Sequence, residues 1–302
     1  MGRMLKIILG GMCLVFFAGC LRLDSNLFNP VDIEGYALDD YAKPEDWSFV
    51  LDASYDIPDS LVHLMTLPSL APGETESTTI HALYIGDTAR IATDTVIVYC
   101  HGNYAHMDIY WQRAKLLANV GGKNRFGVMM MDYRGYGLSD GLPTEEGMYA
   151  DVDACLGWLQ SKGLQGERLM MYGFSLGTAP AVELTAHPRT LRPAWLVTEA
   201  PFASAQQMAT SSSGLFIPGS YFTDLKIDNE VEIQSVQQPF LWLHGKSDDY
   251  LDYETHGQVV FDHYQGSRGV AIGVEGANHS DVPAVMGLDV YRSVFLDFIT
   301  TP

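Results

Sequence analysis

The chain has 302 residues, 47% of them hydrophobic and 18% charged, which provides apolar side chain for one large α/β domain or two small ones. Its 37 acidic side chains against 18 Lys and Arg give a net charge of −19. That balance argues against a nucleic-acid-binding surface and against a polybasic membrane patch, since both need clustered cations. Acidity of this size bears on solubility and self-repulsion, not on fold.

Residues 1–19 form a targeting segment. Arg3 and Lys6 give a short positive start, and Ile7 to Phe17 is mainly apolar. The run is too short for a comfortable membrane span and has the shape of an export signal. It ends Phe16-Phe17-Ala18-Gly19-Cys20, which resembles a bacterial lipoprotein signal, with Phe17 where a Leu-like residue is usual. The resemblance implies cleavage after Gly19, lipidation of Cys20 with diacylglycerol and a further acyl chain such as palmitate, and a mature protein tethered to the cell envelope. Leu21, in place of an Asp, then favours the outer membrane in a Gram-negative host. An ordinary export signal or an uncleaved anchor is the competing reading. Of the remaining cysteines, Cys100 ends a strand pattern and Cys155 lies in a helical one, so both are expected as buried free thiols.

Residues 20–59 are polar, aromatic and broken at Asn29-Pro30, Lys43-Pro44 and Ile57-Pro58. They are expected to form a tether and then a segment packed on the domain, because Trp47, Phe49, Val50 and Leu51 need burial. The domain proper is expected over 60–302. Strand-like runs at Leu61–Leu67 and Thr79–Ile85 predict an antiparallel pair around a turn-rich Pro68–Glu76 stretch. Thr95–Cys100 and Phe126–Met131 are apolar runs suited to strands buried on both faces, with helical spacing over Ile109–Val120 between them. Thr144, followed by Glu145 and Glu146, predicts a helix start whose apolar face includes Met148, Val152, Cys155, Leu156 and Leu159, closed by Gly163. Strands are predicted at Arg168–Tyr172, Pro193–Glu199, Pro239–Leu243 and Arg268–Val274, with a closing helix over Val282–Ile299. Strands alternating with helices at these lengths predict an α/β class with a mostly parallel, doubly wound sheet flanked by helices. Residues 201–238, Ser-rich and punctuated by Gly and Pro, are a candidate short cap over the sheet's carboxyl edge, where ligand sites of such sheets lie.

The chemistry centres on Gly173-Phe-Ser175-Leu-Gly177, a Gly-x-Ser-x-Gly pattern with an apolar strand before it and a helical run, Thr178–Leu184, after it. Strand, tight turn and helix are the context in which this pattern makes a nucleophile elbow. A serine hydroxyl is a weak nucleophile and needs a base, with a third group to orient that base. Apart from His187, which directly follows the elbow's helical run, and off the strand that carries His244, the histidines after the elbow are His256, His263 and His279. His256 and His263 fall in a probable helix and read as surface residues; His279 falls in a loop between the last strand and the last helix.

Taken in order, the His101-Gly102 stretch, the Asp132-Tyr-Arg-Gly-Tyr-Gly-x-Ser loop, the elbow, His244-Gly-Lys-Ser-Asp248-Asp249 and Gly276-Ala-Asn-His279 resemble the α/β-hydrolase fold. The likeness is to its small-cap serine hydrolases, lysophospholipase-like and prolyl-aminopeptidase-like, and covers roughly Leu61 to the C-terminus. It implies Ser175 as nucleophile, His279 as base and Asp248 as the acid, with Asp249 a close runner-up. It also implies an oxyanion hole from the backbone N–H groups of Leu176 and Asn103, or Tyr104 if the turn is shifted. His244 then braces its loop, and Asp132–Gly137 is a structural segment beneath the site. No metal motif of the His-Glu-x-x-His or paired Cys-x-x-Cys kind is present, and triad chemistry requires no cofactor. The implied activity is cleavage of carboxylic esters, small-molecule or lipid, through an acyl-enzyme. Thioester or aminopeptidase-like amide hydrolysis is the alternative, and an inactive hydrolase-fold envelope binding protein is the alternative of another class. Oligomeric state has no signature in the sequence.

Overall fold

The computed structural model describes residues 27–41, 49–213 and 223–301. Cys20, Trp47 and the targeting segment lie outside them. An eight-stranded sheet runs through the molecule. Its strands are β1 (Val62–Ser69), β2 (Thr78–Ile85), β3 (Val96–Cys100), β4 (Gly127–Met131), β5 (Leu169–Phe174), β6 (Trp195–Glu199), β7 (Phe240–Gly245) and β8 (Gly269–Val274). In space they follow the order β8-β7-β6-β5-β3-β4-β2-β1. All neighbouring pairs are parallel except those of β2, which runs antiparallel to β1 and to β4.

The helices follow from the same period-reading. They are α1 (Met107–Ala118), α2 (Glu145–Ser161), α3 (Thr178–Ala186), α4 (Ala205–Ser213), α5 (Asn229–Glu232), α6 (Gln258–His263), α7 (Val282–Met286) and α8 (Leu288–Thr300). Alternate residues of the central strands enter opposite faces. Val96, Val98, Met129 and Met171 join α2, α3 and α6 in one apolar cluster, while Ile97, Tyr99, Val128 and Met170 join α1 and α8 in the other. Every residue of β3, β4 and β5 is buried, which is why their sequences are apolar without alternation. α2 starts where its cap dictates: the Thr144 side chain accepts from the Gly147 N–H at 3.1 Å, and Glu145 and Glu146 sit in the positive first turn.

Two local expectations are revised. The closing helix is not continuous over Val282–Ile299; Gly287, at φ +88°, breaks it into α7 and α8. Val50 is 78% exposed, whereas Phe49 and Leu51 on either side of it are buried, so this stretch alternates in and out like an extended strand.

Residues 27–41 form a strap fastened across the loops at the sheet's carboxyl edge. Leu27 and Phe28 are buried in the core, and Asn29-Pro30 pairs in parallel with Tyr104-Ala105. Farther along, Ala37 and Leu38 donate their N–H groups to the Asp108 carboxylate at 3.0 and 2.8 Å, and Tyr36 donates its hydroxyl to Asp132 at 2.7 Å. The free thiols of Cys100 and Cys155 are buried, and burial pushes both thiols up, away from thiolate.

Candidate active site

Parallel register brings the C-terminal ends of five strands to one edge. Cys100 of β3 sits beside Gly173 of β5, Phe174 beside Glu199 of β6, Glu199 beside Leu243 of β7, and Gly245 beside Val274 of β8. β5 ends at Phe174, and the chain turns through Ser175–Gly177 into α3. The turn puts Ser175 at φ +51°, in the left-handed region where a side chain costs about 1–3 kcal/mol. Both flanking glycines are required by space. A Cβ on Gly173 would stand 2.5 Å from the Gly177 carbonyl oxygen, and one on Gly177 would stand 2.0 Å from that of Cys100.

His279 comes from the loop between β8 and α7, whose shape is set by its own side chains. Asn278 accepts from the His279 N–H at 2.7 Å and from the Asp249 N–H at 3.1 Å, while Asp281 accepts from the Asn278 N–H at 2.7 Å. The imidazole Nε2 lies 3.0 Å from Ser175 Oγ and Nδ1 lies 2.8 Å from Asp248 Oδ2. Asp248 is buried, which by itself would favour the neutral acid. Hydrogen bonds from His244, His279 and the Leu251 N–H outweigh that and hold the carboxyl well below the usual range. An ionised carboxylate only accepts, so Nδ1 of His279 carries the proton and Nε2 is left to accept from the Ser175 hydroxyl.

The structure thus brings Ser175, His279 and Asp248 together, and it separates Asp248 from Asp249. The Asp248 Oδ1 accepts from Tyr250 N at 2.9 Å and Leu251 N at 2.8 Å, whereas Asp249 is exposed. His244 has its tautomer fixed from both sides. Trp242 donates to its Nδ1 at 3.2 Å, so Nε2 carries the proton and faces Leu251 O at 2.8 Å and Asp248 Oδ2 at 3.1 Å. It is a brace held in one tautomer. His256 overturns its sequence reading: it is buried and accepts the Ala203 N–H at 3.3 Å. Helical spacing marks a face, and here another loop covers that face. His263 is exposed, as expected.

At the oxyanion side, the peptide joining Gly102 to Asn103 has a fixed direction. His101 Nδ1 donates to the Gly102 carbonyl at 2.7 Å, and in a trans peptide the Asn103 N–H points the opposite way. The Asn103 carbonyl is held in turn by Asn29 N at 3.0 Å and by the Tyr136 hydroxyl at 3.1 Å. The Tyr104 N–H is directed to the Tyr110 hydroxyl at 3.3 Å, which leaves Asn103 the better oriented of the two candidates. His101 Nε2 stands 3.2 Å from Asp132 Oδ1 without hydrogen-bond alignment. Asp132 instead takes the Met107 N–H at 2.8 Å, pinning the start of α1. Its neighbour Arg134 pairs with Asp151 at 3.0 Å and Glu74 at 2.7 Å, so the glycine-rich Asp132–Gly137 segment is a brace.

Beside Ser175 lies a pocket of about 380 Å³. Phe174, Tyr110 and Tyr104 give it aromatic walls, and Tyr250 stands edge-on to the His279 ring at 5.0 Å. Among the described residues no Asp, Glu, Lys or Arg lines it. Asn29 does. None of the described residues of the 201–238 insertion lines it; that segment is fastened alongside the elbow, where Asn229 Nδ2 donates to Thr178 Oγ1 at 3.2 Å.

Sequence reading also passed over a buried ion pair. Arg113 of α1 lies 2.6 Å from Glu199 Oε1, donates to the Ser280 carbonyl at 2.9 Å, and stacks 4.5 Å from the centre of the Phe174 ring. Tyr172 and Tyr291 donate to the other Glu199 oxygen at 2.7 and 3.0 Å. Arg113 and Tyr291 lie 86 and 92 residues from Glu199 on opposite sides and Tyr172 lies 27 before it, with no local spacing to announce them. Elsewhere, Glu183, His187 and Glu232 gather at the surface with His187 and Glu232 2.8 Å apart. Arg189 lies 3.8 Å from Glu183, and the group reads as a solvated ion-pair network.

Comparisons with known proteins agree with this architecture. A family model described as the alpha/beta hydrolase fold matches residues 95–216. Human alpha/beta hydrolase domain-containing protein 17B is 31% identical over 190 residues, 62% of this chain and 60% of that protein. Mouse alpha/beta hydrolase domain-containing protein 17C is 28% identical over 188 residues, 62% of this chain and 54% of that protein. The chain therefore spans little more than half the length of these curated relatives. Among solved structures, an esterase of Pyrococcus furiosus superposes with a TM-score of 0.64 at 14% identity, over 90% of this chain and 98% of that one. A bromoperoxidase of Bacillus anthracis does so with a TM-score of 0.57 at 16% identity, over 78% and 99%. At such identities the likeness concerns the fold alone, and the two neighbours differ in chemistry.

Proposed function

On the α/β-hydrolase fold that this chain adopts, we propose a serine hydrolase that cleaves carboxylic esters through an acyl-enzyme. The observation that carries the reading is the unbroken chain of hydrogen bonds from Ser175 Oγ to His279 Nε2 at 3.0 Å and from His279 Nδ1 to Asp248 at 2.8 Å. In this reading His279 takes the Ser175 proton as Oγ attacks the carbonyl, and Asp248 holds the resulting imidazolium. The Leu176 and Asn103 N–H groups receive the oxyanion, a donor of this kind being worth about 2.7–4 kcal/mol in the transition state. His279 then protonates the leaving group and activates water for deacylation.

The pocket favours a neutral acyl group. An aminopeptidase-like site needs a carboxylate for the substrate's ammonium, and among the described residues no acidic side chain lines this one. A thioester would be cleaved by the same apparatus. We also propose that Cys20 is lipidated and tethers the protein in a bacterial envelope, which would put the pocket near acylated substrates; none of the described helices is long and apolar enough to cross a membrane.

A fluorophosphonate probe and a p-nitrophenyl ester series test the reading. Wild type is expected to take the probe and turn over esters, and Ser175→Ala to do neither. Undiminished labelling of Ser175→Ala overturns the assignment. Absence of both labelling and turnover in wild type points to the envelope binding protein.

A further inference from the structure

We propose that Asn29, carried by the N-terminal strap, is a specificity-determining residue of the active site that limits the acyl group the pocket accepts. The inference rests on the acyl-transfer reading and names the chemistry of its substrate: esters of short to medium acyl groups.

Leu27 and Phe28 are buried in the core and anchor the strap, while Asn29, next along the chain, is exposed and lines the pocket. Its backbone is held to the oxyanion loop, with the N–H 3.0 Å from the Asn103 carbonyl and 3.2 Å from the Tyr136 hydroxyl. The strap continues in register along that loop: Asn29 pairs with Tyr104, Pro30 with Ala105, and Val31 N donates to Ala105 O at 3.4 Å. Asn29 therefore cannot drift relative to the peptide that would bind the oxyanion.

The side of the pocket on which Asn29 sits decides what it meets. His279 must reach the leaving group to protonate it, and Tyr250 and Ser280 flank that histidine. Asn29 pairs with Tyr104, next to Asn103, and all three line the pocket together. With the oxyanion directed to the backbone donors and the leaving group to His279, the remaining substituent on the reacting carbon, the acyl group, runs toward Asn29. A pocket of about 380 Å³ lies at the small end of the roughly 300–1,000 Å³ range of ligand sites. An acyl chain therefore covers the aromatic rings and meets Asn29 within a few carbons. The described part of the 201–238 insertion supplies no competing wall.

The test is the ratio of kcat/KM for p-nitrophenyl octanoate over acetate in wild type, Asn29→Trp and Asn29→Ala. Both variants keep the backbone N–H that fastens the strap. The larger side chain should lower the ratio by roughly tenfold or more and the smaller one should raise it, since discrimination of a few methylenes by one pocket wall is of that order. If the tryptophan variant loses its folded state, the alanine variant decides. A wild type that turns over both esters with a ratio that the alanine variant leaves within about twofold overturns the assignment of Asn29 alone. A wild type that neither turns over esters nor takes a fluorophosphonate at Ser175 overturns it together with the acyl-transfer reading.

Discussion

Two buried carboxylates stand at the ends of neighbouring strands, Glu199 at the end of β6 and Asp248 just beyond β7, and they are built for different work. Asp248 accepts from uncharged donors: two imidazoles, of which only His279 also reaches Ser175, and two loop N–H groups. Glu199 is locked to a guanidinium that stays charged and to two tyrosine hydroxyls. Burial does not distinguish them. What distinguishes them is whether the partner touches Ser175, and that is legible only from the contacts. The difference teaches that one carboxylate can orient an imidazole and the other act as a rivet, within one sheet edge.

The largest expected effect is on the first of these. Asp248→Asn should lower kcat on p-nitrophenyl acetate by roughly 10⁴-fold, because the amide no longer fixes the His279 tautomer or stabilises its charged form. A comparable loss in Glu199→Gln would break the contrast. Next, Arg113→Met leaves Glu199 buried without its cation and should cost about 3–5 kcal/mol of unfolding free energy, read from the urea midpoint. Adding Glu199→Gln to it should restore much of that stability.

A smaller effect tests the other buried histidine of the region. Burial, and then the neighbouring His244, hold His256 down at about 4 from an ordinary 6.5. Between those values the unfolded chain binds more protons than the folded one, so stability falls as pH is lowered through that window. The loss should approach roughly 3 kcal/mol at its acid end, and His256→Gln should flatten the thermal midpoint across it. Smallest of all, Asp249→Asn should change kcat/KM by less than about threefold, as an exposed side chain outside the triad. A large loss there would return the acid role to Asp249.

Much of the fold was legible because its signals are local. Thr144 before Glu145 and Glu146 announces a capped helix, and the all-apolar runs of β3 and β4 announce strands covered on both faces. The elbow could be read because its two glycines are demanded by contacts within the turn and with β3. Asp248 rather than Asp249 came from the family resemblance alone, since by spacing adjacent loop residues differ only in which way they point. His256 was misread because a helical period says nothing about which loop lies over it. Gly287 was a visible signal for the break between α7 and α8, one that the apolar period around it outweighed. Arg113 with Glu199, and Asn29 with the oxyanion loop, are pairings across long separations, and no spacing within either segment encodes them.

The contact between Gly177 and the Cys100 carbonyl has a consequence for how such a protein can diversify. The nucleophile turn and the end of β3, which leads into the oxyanion loop, meet backbone against backbone, with no side chain between them. Their spacing is therefore a property of chain thickness, which substitution cannot tune. Variation that alters what the pocket accepts has to enter through its lining side chains, among them Asn29 on the strap, Tyr110, Phe174 and Tyr250.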